Sequence, residues 1–284
     1  MKYFHIGAMA DSFKLPVREA LLKVKEVGAE GFQIYASRGE FSAENLDKNA
    51  RAEFKKYVDS LGLKISALCG DFGHGYHDKE YNKILIEKSK RVLELAADLD
   101  THVVTTHIGV VPSDPNSPRY EIMHDGCLEL ARAADYIGVK FAVETGPETS
   151  LVLKNFLNGL NSKGVSVNLD PANLVMVTGD DPVQAVYNLR EYIVHTHAKD
   201  GVMLNRCDPE IVYGLRPAPE GGIPAPFEEV PLGTGSVDFP KYLAALHDIG
   251  YDGFLTIERE VKNGAEDIRM AVGFLKAKLE KLGF

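Results

Sequence analysis

Four ionisable side chains stand at the ends of four apolar runs in the second half of the sequence. The runs are Phe141–Glu144, Val167–Asp170, His195–His197 and Leu255–Glu258. A half-buried carboxylate without a partner is costly, and three carboxylates gathered at one place repel one another. A divalent cation relieves both costs, because it keeps the carboxylates ionised and becomes the largest local charge. The pattern therefore predicts a metal site formed by the last residue of each run.

These last residues are Glu144, Asp170, His197 and Glu258. Together they offer three carboxylates and one imidazole, a donor set that suits Mn²⁺, Mg²⁺ or Co²⁺. We expect one ion, with Mn²⁺ first, while Zn²⁺ usually takes more nitrogen or sulfur ligands. In the competing interpretation, each acid caps the helix that follows it or pairs with a lysine. Four such residues at the same end of four runs favour the metal.

The elements that would position these residues alternate along the whole chain. Short β-branched runs predict strands, and longer amphipathic runs predict helices. The expected strands are Tyr3–Ala8, Gly31–Tyr35, Lys64–Leu68, His102–His107, Lys140–Glu144, Val165–Asp170, Tyr192–His197 and Gly253–Glu258. The expected helices are Pro16–Val27, Ala43–Leu61, Asp78–Leu99, Pro118–Ile137, Thr149–Leu160, Pro182–Leu189, Phe239–Asp248 and Glu266–Leu282.

Eight strand–helix units predict an α/β fold, a (β/α)8 TIM barrel, as a single domain over residues 1–284. Right-handed crossovers close eight such units into a parallel barrel. The main alternative is an open doubly wound sheet, whose dinucleotide-binding members carry Gly-x-Gly-x-x-Gly after the first strand. That turn is missing here, where the sequence reads Gly7-Ala8-Met9-Ala10-Asp11. The pattern therefore favours the barrel.

One segment, residues 201–231, interrupts this alternation with six prolines and four glycines. A connection of this length inside a compact domain is usually functional or disordered. It follows the seventh predicted strand, so it is expected over the barrel mouth, where barrel enzymes carry out their chemistry. We interpret it as a lid or as a contact with a second subunit in a homo-oligomer. A tolerated surface insertion is the alternative.

The composition of the 284-residue chain is that of an ordinary globular protein, with 45% hydrophobic and 26% charged residues. The net charge of -9 argues against a nucleic-acid partner held by the overall field. No apolar run approaches the roughly 20 residues of a membrane span, so we expect no membrane partner. Residues 1–8 do not have the pattern of a signal peptide. Cys69, Cys127 and Cys207 lack metal-type spacing, and we expect a reducing, cytoplasmic setting.

Five motifs give the sequence a family resemblance. They are Val143-Glu144-Thr145-Gly146, Asn168-Leu169-Asp170-Pro171-Ala172-Asn173, His195-Thr196-His197-Ala198-Lys199-Asp200, Val230-Pro231-Leu232-Gly233-Thr234-Gly235 and Leu255-Thr256-Ile257-Glu258-Arg259-Glu260. With them the chain resembles the sugar phosphate isomerase/epimerase superfamily of xylose-isomerase-like TIM barrels. That group includes ketose 3-epimerases, inosose dehydratases and AP endonucleases. The combination is specific for the superfamily and not for one substrate.

The resemblance implies that Glu144 and Glu258 both bind the metal and move protons. One would remove a proton next to a carbonyl and the other would return it through an enediolate, with the metal stabilising the charge. We therefore expect a metal-dependent isomerase or epimerase acting on a small carbohydrate or keto-sugar. The alternatives are a dehydratase of a cyclic polyol, an AP endonuclease-like phosphodiesterase and a sugar-binding protein without activity. Asn173 stands where ketose epimerases have a substrate-binding histidine, which weakens a strict ketose-epimerase assignment.

Several other residues are candidates for substrate binding. They are His107, Asn173, Lys199 and, in the Gly73-His74-Gly75 turn, His74. His195 lies two residues before His197 on the same strand face, so we expect it to support a ligand rather than to bind the metal.

Two further features have interpretations of their own. Glu148 stands at the start of a predicted helix, where the helix dipole favours an acid, so a capping role is expected. The turn at residues 230–235 could wrap a substrate phosphate with backbone N–H groups, but a plain turn before a helix is the simpler interpretation.

Overall fold

The computed structural model describes residues 3–261 and 264–284. Eight parallel strands close into a barrel in the order β1-β10-β7-β6-β5-β4-β3-β2. These strands are β1 His5–Met9, β2 Gly31–Tyr35, β3 Lys64–Cys69, β4 Val103–Thr106, β5 Lys140–Glu144, β6 Val165–Leu169, β7 Ile193–Ala198 and β10 Phe254–Ile257. The prediction of a single-domain TIM barrel is confirmed.

Helices surround the barrel and follow its strands. They are α1 Val17–Glu26, α2 Lys48–Leu61, α3 Lys79–Asp98, α4 Pro118–Ile137, α5 Ser150–Leu160, α6 Pro171–Asn173, α7 Pro182–Leu189, α8 Pro209–Val212, α9 Phe239–Asp248 and α10 Gly264–Leu282. The prediction that the second helix begins at Ala43 is wrong by about one turn. The carboxylate of Asp47 accepts a hydrogen bond from Ala50 N and so fixes the start of α2 at Lys48.

The core lies inside the barrel and between the barrel and its helices. All five residues of β6 are buried, as expected for a strand covered on both faces. Helix α4 buries one face, with Met123, Cys127 and Leu130 packed in the main core. The strands are thereby fixed in register, and their carboxyl ends meet at one mouth. In the described part of the chain, no helix combines the length and apolarity that a membrane crossing requires.

The segment predicted as a connection at residues 201–231 carries regular structure of its own. Strand β8, Asp200–Met203, pairs with β9, Phe227–Val230, as an antiparallel hairpin, and α8 lies between the two strands. We call residues 200–230 the hairpin insertion. Its second strand contacts the barrel mouth through Glu229, whose carboxylate accepts a 2.7 Å hydrogen bond from Arg259 Nη1.

Asp200, at the start of the hairpin insertion, is buried and accepts four backbone hydrogen bonds. Its Oδ2 accepts from Gly233 N and Gly235 N, both at 2.9 Å. Its Oδ1 accepts from Gly201 N at 2.9 Å and from Val237 N at 3.1 Å. The turn that could have wrapped a phosphate therefore already binds a carboxylate of its own chain. This clamp ties the turn before α9 to the end of β7.

We expect the Asp200→Ala substitution to lower the free energy of unfolding by about 3 kcal/mol, because it leaves several backbone N–H donors without their acceptor. Urea denaturation measures this loss. Asp252→Ala removes an exposed carboxylate and serves as the control, with an expected change within about 0.5 kcal/mol. Equal stability of the two variants would show that the clamp contributes nothing.

Candidate metal centre and active site

The four predicted metal ligands meet at the mouth of the barrel. Glu144 ends β5, Asp170 follows β6, His197 lies in β7 and Glu258 follows β10. One ligand atom from each of them lies within 4.8 Å of the others, and all four residues are buried. The barrel order places β5, β6, β7 and β10 side by side, so neighbouring strands supply the whole group. We call these residues the acid–histidine cluster.

The imidazole of His197 has one nitrogen facing the carboxylates. Its Nδ1 lies 3.1 Å from Asp170 Oδ2, 3.4 Å from Glu258 Oε2 and 3.6 Å from Glu144 Oε1. The other nitrogen, Nε2, lies 2.9 Å from Gln33 Oε1. With its Nε2–H donated to Gln33, His197 directs Nδ1 at the three carboxylates, and the Nδ1 lone pair would face a bound metal. That arrangement is typical of an imidazole that binds a metal.

Amide side chains orient the carboxylate of Glu144. Asn168 Nδ2 donates to Oε2 at 3.0 Å, and Asn173 Nδ2 donates to Oε1 at 3.1 Å. His195 lies behind Asn168 and donates from Nδ1 to its Oδ1 at 2.8 Å. Its Nε2 accepts from Thr256 Oγ1 at 2.9 Å. His195 thus contacts an amide that holds Glu144, and Asn173 holds the same carboxylate directly.

Both competing roles of the acids are present beside the cluster. Asp170 Oδ1 caps α6 by accepting from Asn173 N at 2.9 Å, while its Oδ2 faces His197. Glu258 Oε2 accepts from Lys199 Nζ at 2.9 Å. The candidate substrate residue Lys199 is therefore an ion-pair partner of a candidate ligand. Neither role removes its carboxylate from the acid–histidine cluster.

Burial and the neighbouring charges shift the pKa values of the groups in the cluster. Burial raises the pKa of Glu144 against the opposing effect of two imidazoles, His107 and His197. Burial acts in the same direction on Glu258, but the Lys199 ammonium and His197 outweigh it and lower the pKa to about 2. The carboxylates in turn outweigh burial at His197 and raise its pKa to about 9. The acids thus stabilise the positive charges beside them, and they would stabilise a divalent ion in the same way.

The two remaining candidate histidines have different surroundings. His107 lies beside the cluster, with Nδ1 3.1 Å from Asp71 Oδ2 and Nε2 3.5 Å from Glu144 Oε1. Burial would lower its pKa, but these carboxylates outweigh burial and raise it to about 10. His74 donates from Nδ1 to Gly75 O at 2.6 Å and packs against His77 and Tyr81. Its contacts are thus with the start of α3 rather than with the cluster.

Glu148 is not the cap of α5, so the capping interpretation is wrong. Thr149 caps that helix by accepting from Val152 N. Glu148 is 6% exposed, and its Oε2 accepts from Val111 N at 3.2 Å. Its Oε1 is buried without a hydrogen-bond partner in the described part of the chain. Burial raises the pKa of Glu148 to about 8, so the carboxyl is mostly protonated at neutral pH.

Sequence reasoning missed four residues beside the cluster: Gln33, Asp71, Asn168 and Tyr213. Gln33 is a lone amide inside the apolar second strand, and Asn168 shares a strand face with Asp170, so both carried a weak signal. Asp71 and Tyr213 lie in loops and carried none. A cavity of about 780 Å³ lies between the hairpin insertion and the loops after β4 and β5. None of the four cluster residues lines it.

A family model described as xylose isomerase-like TIM barrel matches residues 21–278. The chain belongs to this family. A xylose isomerase domain protein from Planctomyces limnophilus superposes with a TM-score of 0.80 at 24% identity, over 99% of each chain. A D-tagatose 3-epimerase-like protein superposes with a TM-score of 0.72 at 20% identity, over 98% of this chain and 100% of the other. Identities this low show the fold alone.

Two relatives are similar in sequence over shorter stretches. An uncharacterised protein of Methanocaldococcus jannaschii is 23% identical over 234 residues, covering 78% of this chain and 72% of the relative. An inosose dehydratase of Clostridium beijerinckii is 25% identical over 179 residues, covering 60% of this chain and 57% of that enzyme. This chain is thus similar in fold to an epimerase-like protein and in sequence to an inosose dehydratase.

The raised pKa of Glu148 predicts a pH-dependent effect of the Glu148→Gln substitution. The unfolded carboxyl ionises near its ordinary value of 4.5, whereas the native one keeps its proton up to about 8. Native stability therefore falls as the pH rises between these values, and glutamine removes that loss. We expect the stability of the variant relative to wild type to increase by up to about 1.4 kcal/mol per pH unit.

Urea denaturation at pH 5, 6.5 and 8 measures this difference. Glu121→Gln, an exposed substitution on α4, is the control and should show a constant difference. A constant difference for Glu148→Gln as well would mean that Glu148 is ionised in the native protein.

Proposed function

We propose that this protein is a divalent-metal-dependent sugar isomerase or epimerase that moves a proton on a carbon next to a carbonyl. One observation carries the proposal. Two glutamates, Glu144 and Glu258, come from strands three positions apart around the barrel and converge with Asp170 and His197 within 4.8 Å. Carboxylates that approach one point from different strands can serve the two faces of a small substrate.

The acid–histidine cluster is the proposed holder of the metal. Its three carboxylates and one imidazole favour Mn²⁺, with Mg²⁺, Co²⁺ and Zn²⁺ as the other candidates. When bound, a divalent ion would polarise the substrate carbonyl and stabilise the negative charge that develops on its oxygen. The buried Nδ1 of His197, directed at three carboxylates, supports this assignment.

The two glutamates are the proposed catalytic residues. One carboxylate accepts the proton from the carbon beside the carbonyl, and the other, in its protonated form, donates a proton to the opposite face. Asn168 and Asn173 hold both oxygens of Glu144 in place, so this carboxylate is fixed before substrate arrives. Lys199 holds Glu258 in the same way at 2.9 Å. Such prior orientation lowers the cost of reaching the transition state.

The proposed substrate is a small carbohydrate or its keto form. His107 lies 3.5 Å from Glu144 and is a candidate donor to a substrate hydroxyl. Asn173 and Lys199 are further candidates, although each already holds a cluster glutamate. His74 has the least support as a substrate-binding residue, because its hydrogen bond and ring contacts are with residues close to it in sequence. The net charge of -9 favours such a ligand over DNA.

The second candidate is a metal-dependent dehydratase of a cyclic polyol. It is supported by three inosose dehydratases among the sequence relatives, at 25–27% identity. The same glutamates would abstract the proton, after which a hydroxyl leaves as water. Product mass separates the two reactions, since dehydration removes 18 mass units and isomerisation conserves mass.

We expect Glu258→Gln to reduce turnover by at least about 10³-fold while the barrel stays folded, because an amide cannot accept the substrate proton. The measurement is exchange of deuterium from solvent into ketoses, keto-glycosides and inososes by the manganese-loaded protein. Circular dichroism and manganese content test the fold and the metal. An active variant with normal metal content would remove Glu258 from the mechanism.

We expect Asp170→Asn to weaken manganese binding by about 10-fold or more, because it removes one negative charge from the ligand set. Asparagine keeps the oxygen that caps α6, so the local fold should persist. Calorimetric titration with Mn²⁺ measures the affinity, and Asp181→Asn, at the cap of α7, is the matched control. Full affinity in Asp170→Asn would exclude this carboxylate as a ligand.

A further inference from the structure

An ion pair connects α8, the short helix of the hairpin insertion, to helix α4 of the barrel. Asp208 caps α8 by accepting from Glu210 N at 2.8 Å. The carboxylate of Glu210 forms an ion pair with Arg119 of α4, and its Oε2 lies 2.8 Å from Arg216 Nε. These contacts fix the position of α8 and therefore of Tyr213, which directly follows its last residue.

Tyr213 reaches from the hairpin insertion to the edge of the acid–histidine cluster. Its ring centroid lies 6.2 Å from that of His107. A Cβ built on Gly146 would lie 2.7 Å from Tyr213 Oη and 3.7 Å from Asn173 Nδ2. Gly146 follows Glu144 by two residues, and Asn173 and His107 both contact the Glu144 carboxylate. The phenol hydroxyl therefore lies beside a proposed catalytic base.

The hydroxyl of Tyr213 has no hydrogen-bond partner among residues 3–261 and 264–284, although its surroundings are polar. Burial raises the pKa of the phenol, and the charges of Glu144 and Glu148 raise it further. The group stays protonated at neutral pH and can both donate and accept a hydrogen bond. Tyr213 is half-buried, so its hydroxyl remains open to a ligand oxygen on the side that faces the cluster.

We propose that Tyr213 is a substrate-contacting residue whose hydroxyl donates a hydrogen bond to a hydroxyl or carbonyl oxygen of the sugar next to Glu144. The proposal rests on the proposed function, because it takes the acid–histidine cluster as the reaction centre. Gly146 has a matching role, since any side chain at this position would occupy the space of the phenol oxygen. The hairpin insertion thereby supplies part of the substrate site.

A purely structural role for Tyr213 is the alternative to be tested. Its ring packs with Val175 and Phe227 against a small apolar cluster of Ala172, Met176 and Val177. The Tyr213→Phe substitution keeps this packing and removes only the hydroxyl. A structural role therefore predicts wild-type ligand binding for the phenylalanine variant, whereas substrate contact predicts a loss.

The experiment measures calorimetric binding of D-fructose, D-tagatose and 2-keto-myo-inositol to the manganese-loaded protein. For any probe that wild type binds, we expect about 10-fold weaker affinity in Tyr213→Phe, the usual effect of one lost hydrogen bond. Tyr136→Phe alters a tyrosine that is 94% exposed on α4 and should leave the affinity unchanged. Thermal unfolding of both variants should match wild type.

A second variant tests the contact from the other side. Gly146→Ala should displace the phenol and weaken binding by a similar factor, and combining it with Tyr213→Phe should add little, because both remove one interaction. Wild-type affinity in Tyr213→Phe, or no binding of any probe by wild type, would overturn the proposal. Tyr213-dependent binding without deuterium exchange would uphold the contact and refute the proposed proton transfer.

Discussion

The mutual repulsion of three buried carboxylates is the constraint on which the rest of this structure depends. Glu144, Asp170 and Glu258 lie around a single imidazole nitrogen in a place that water hardly reaches. Charges of one sign at such distances are tolerated only when cations balance them. Lys199 and the imidazoles supply part of that balance, and a divalent ion would supply it more completely. Packing of the core alone would not require three carboxylates at this point.

The barrel fold brings these carboxylates together at one end of the sheet. Parallel strands end at one mouth, so residues that are far apart in sequence arrive side by side without any local preference for one another. Hydrogen bonds with Gln33, Asn168 and Asn173 then fix the orientation of His197 and Glu144. The hairpin insertion contacts Arg259 through Glu229, and the Asp200 clamp ties it to the turn before α9. The clustered side chains and the residues that position them therefore come from different parts of the chain.

The sequence allowed prediction of those features that repeat along the chain. Strand and helix alternation identified the barrel, and the ionisable residue closing each late strand identified the four clustered side chains. The pairing of Gln33 with His197 spans 164 residues and depends on barrel closure, which no local pattern records. The position of Tyr213 was equally hidden, because a Pro- and Gly-rich segment gives no periodic signal for its hairpin. The role of Asp200 was missed because its four donors are backbone groups, which carry no sequence signature.

The most direct test of the account is an anomalous-scattering map of crystals grown with Mn²⁺, collected at the manganese edge. The account predicts one strong peak among Glu144, Asp170, His197 and Glu258, with ligand atoms at about 2.0–2.3 Å. The His197 ligand atom should be Nδ1, with Nε2 still bonded to Gln33. A map without a peak at this position, or with the ion held elsewhere by other residues, would contradict the central claim.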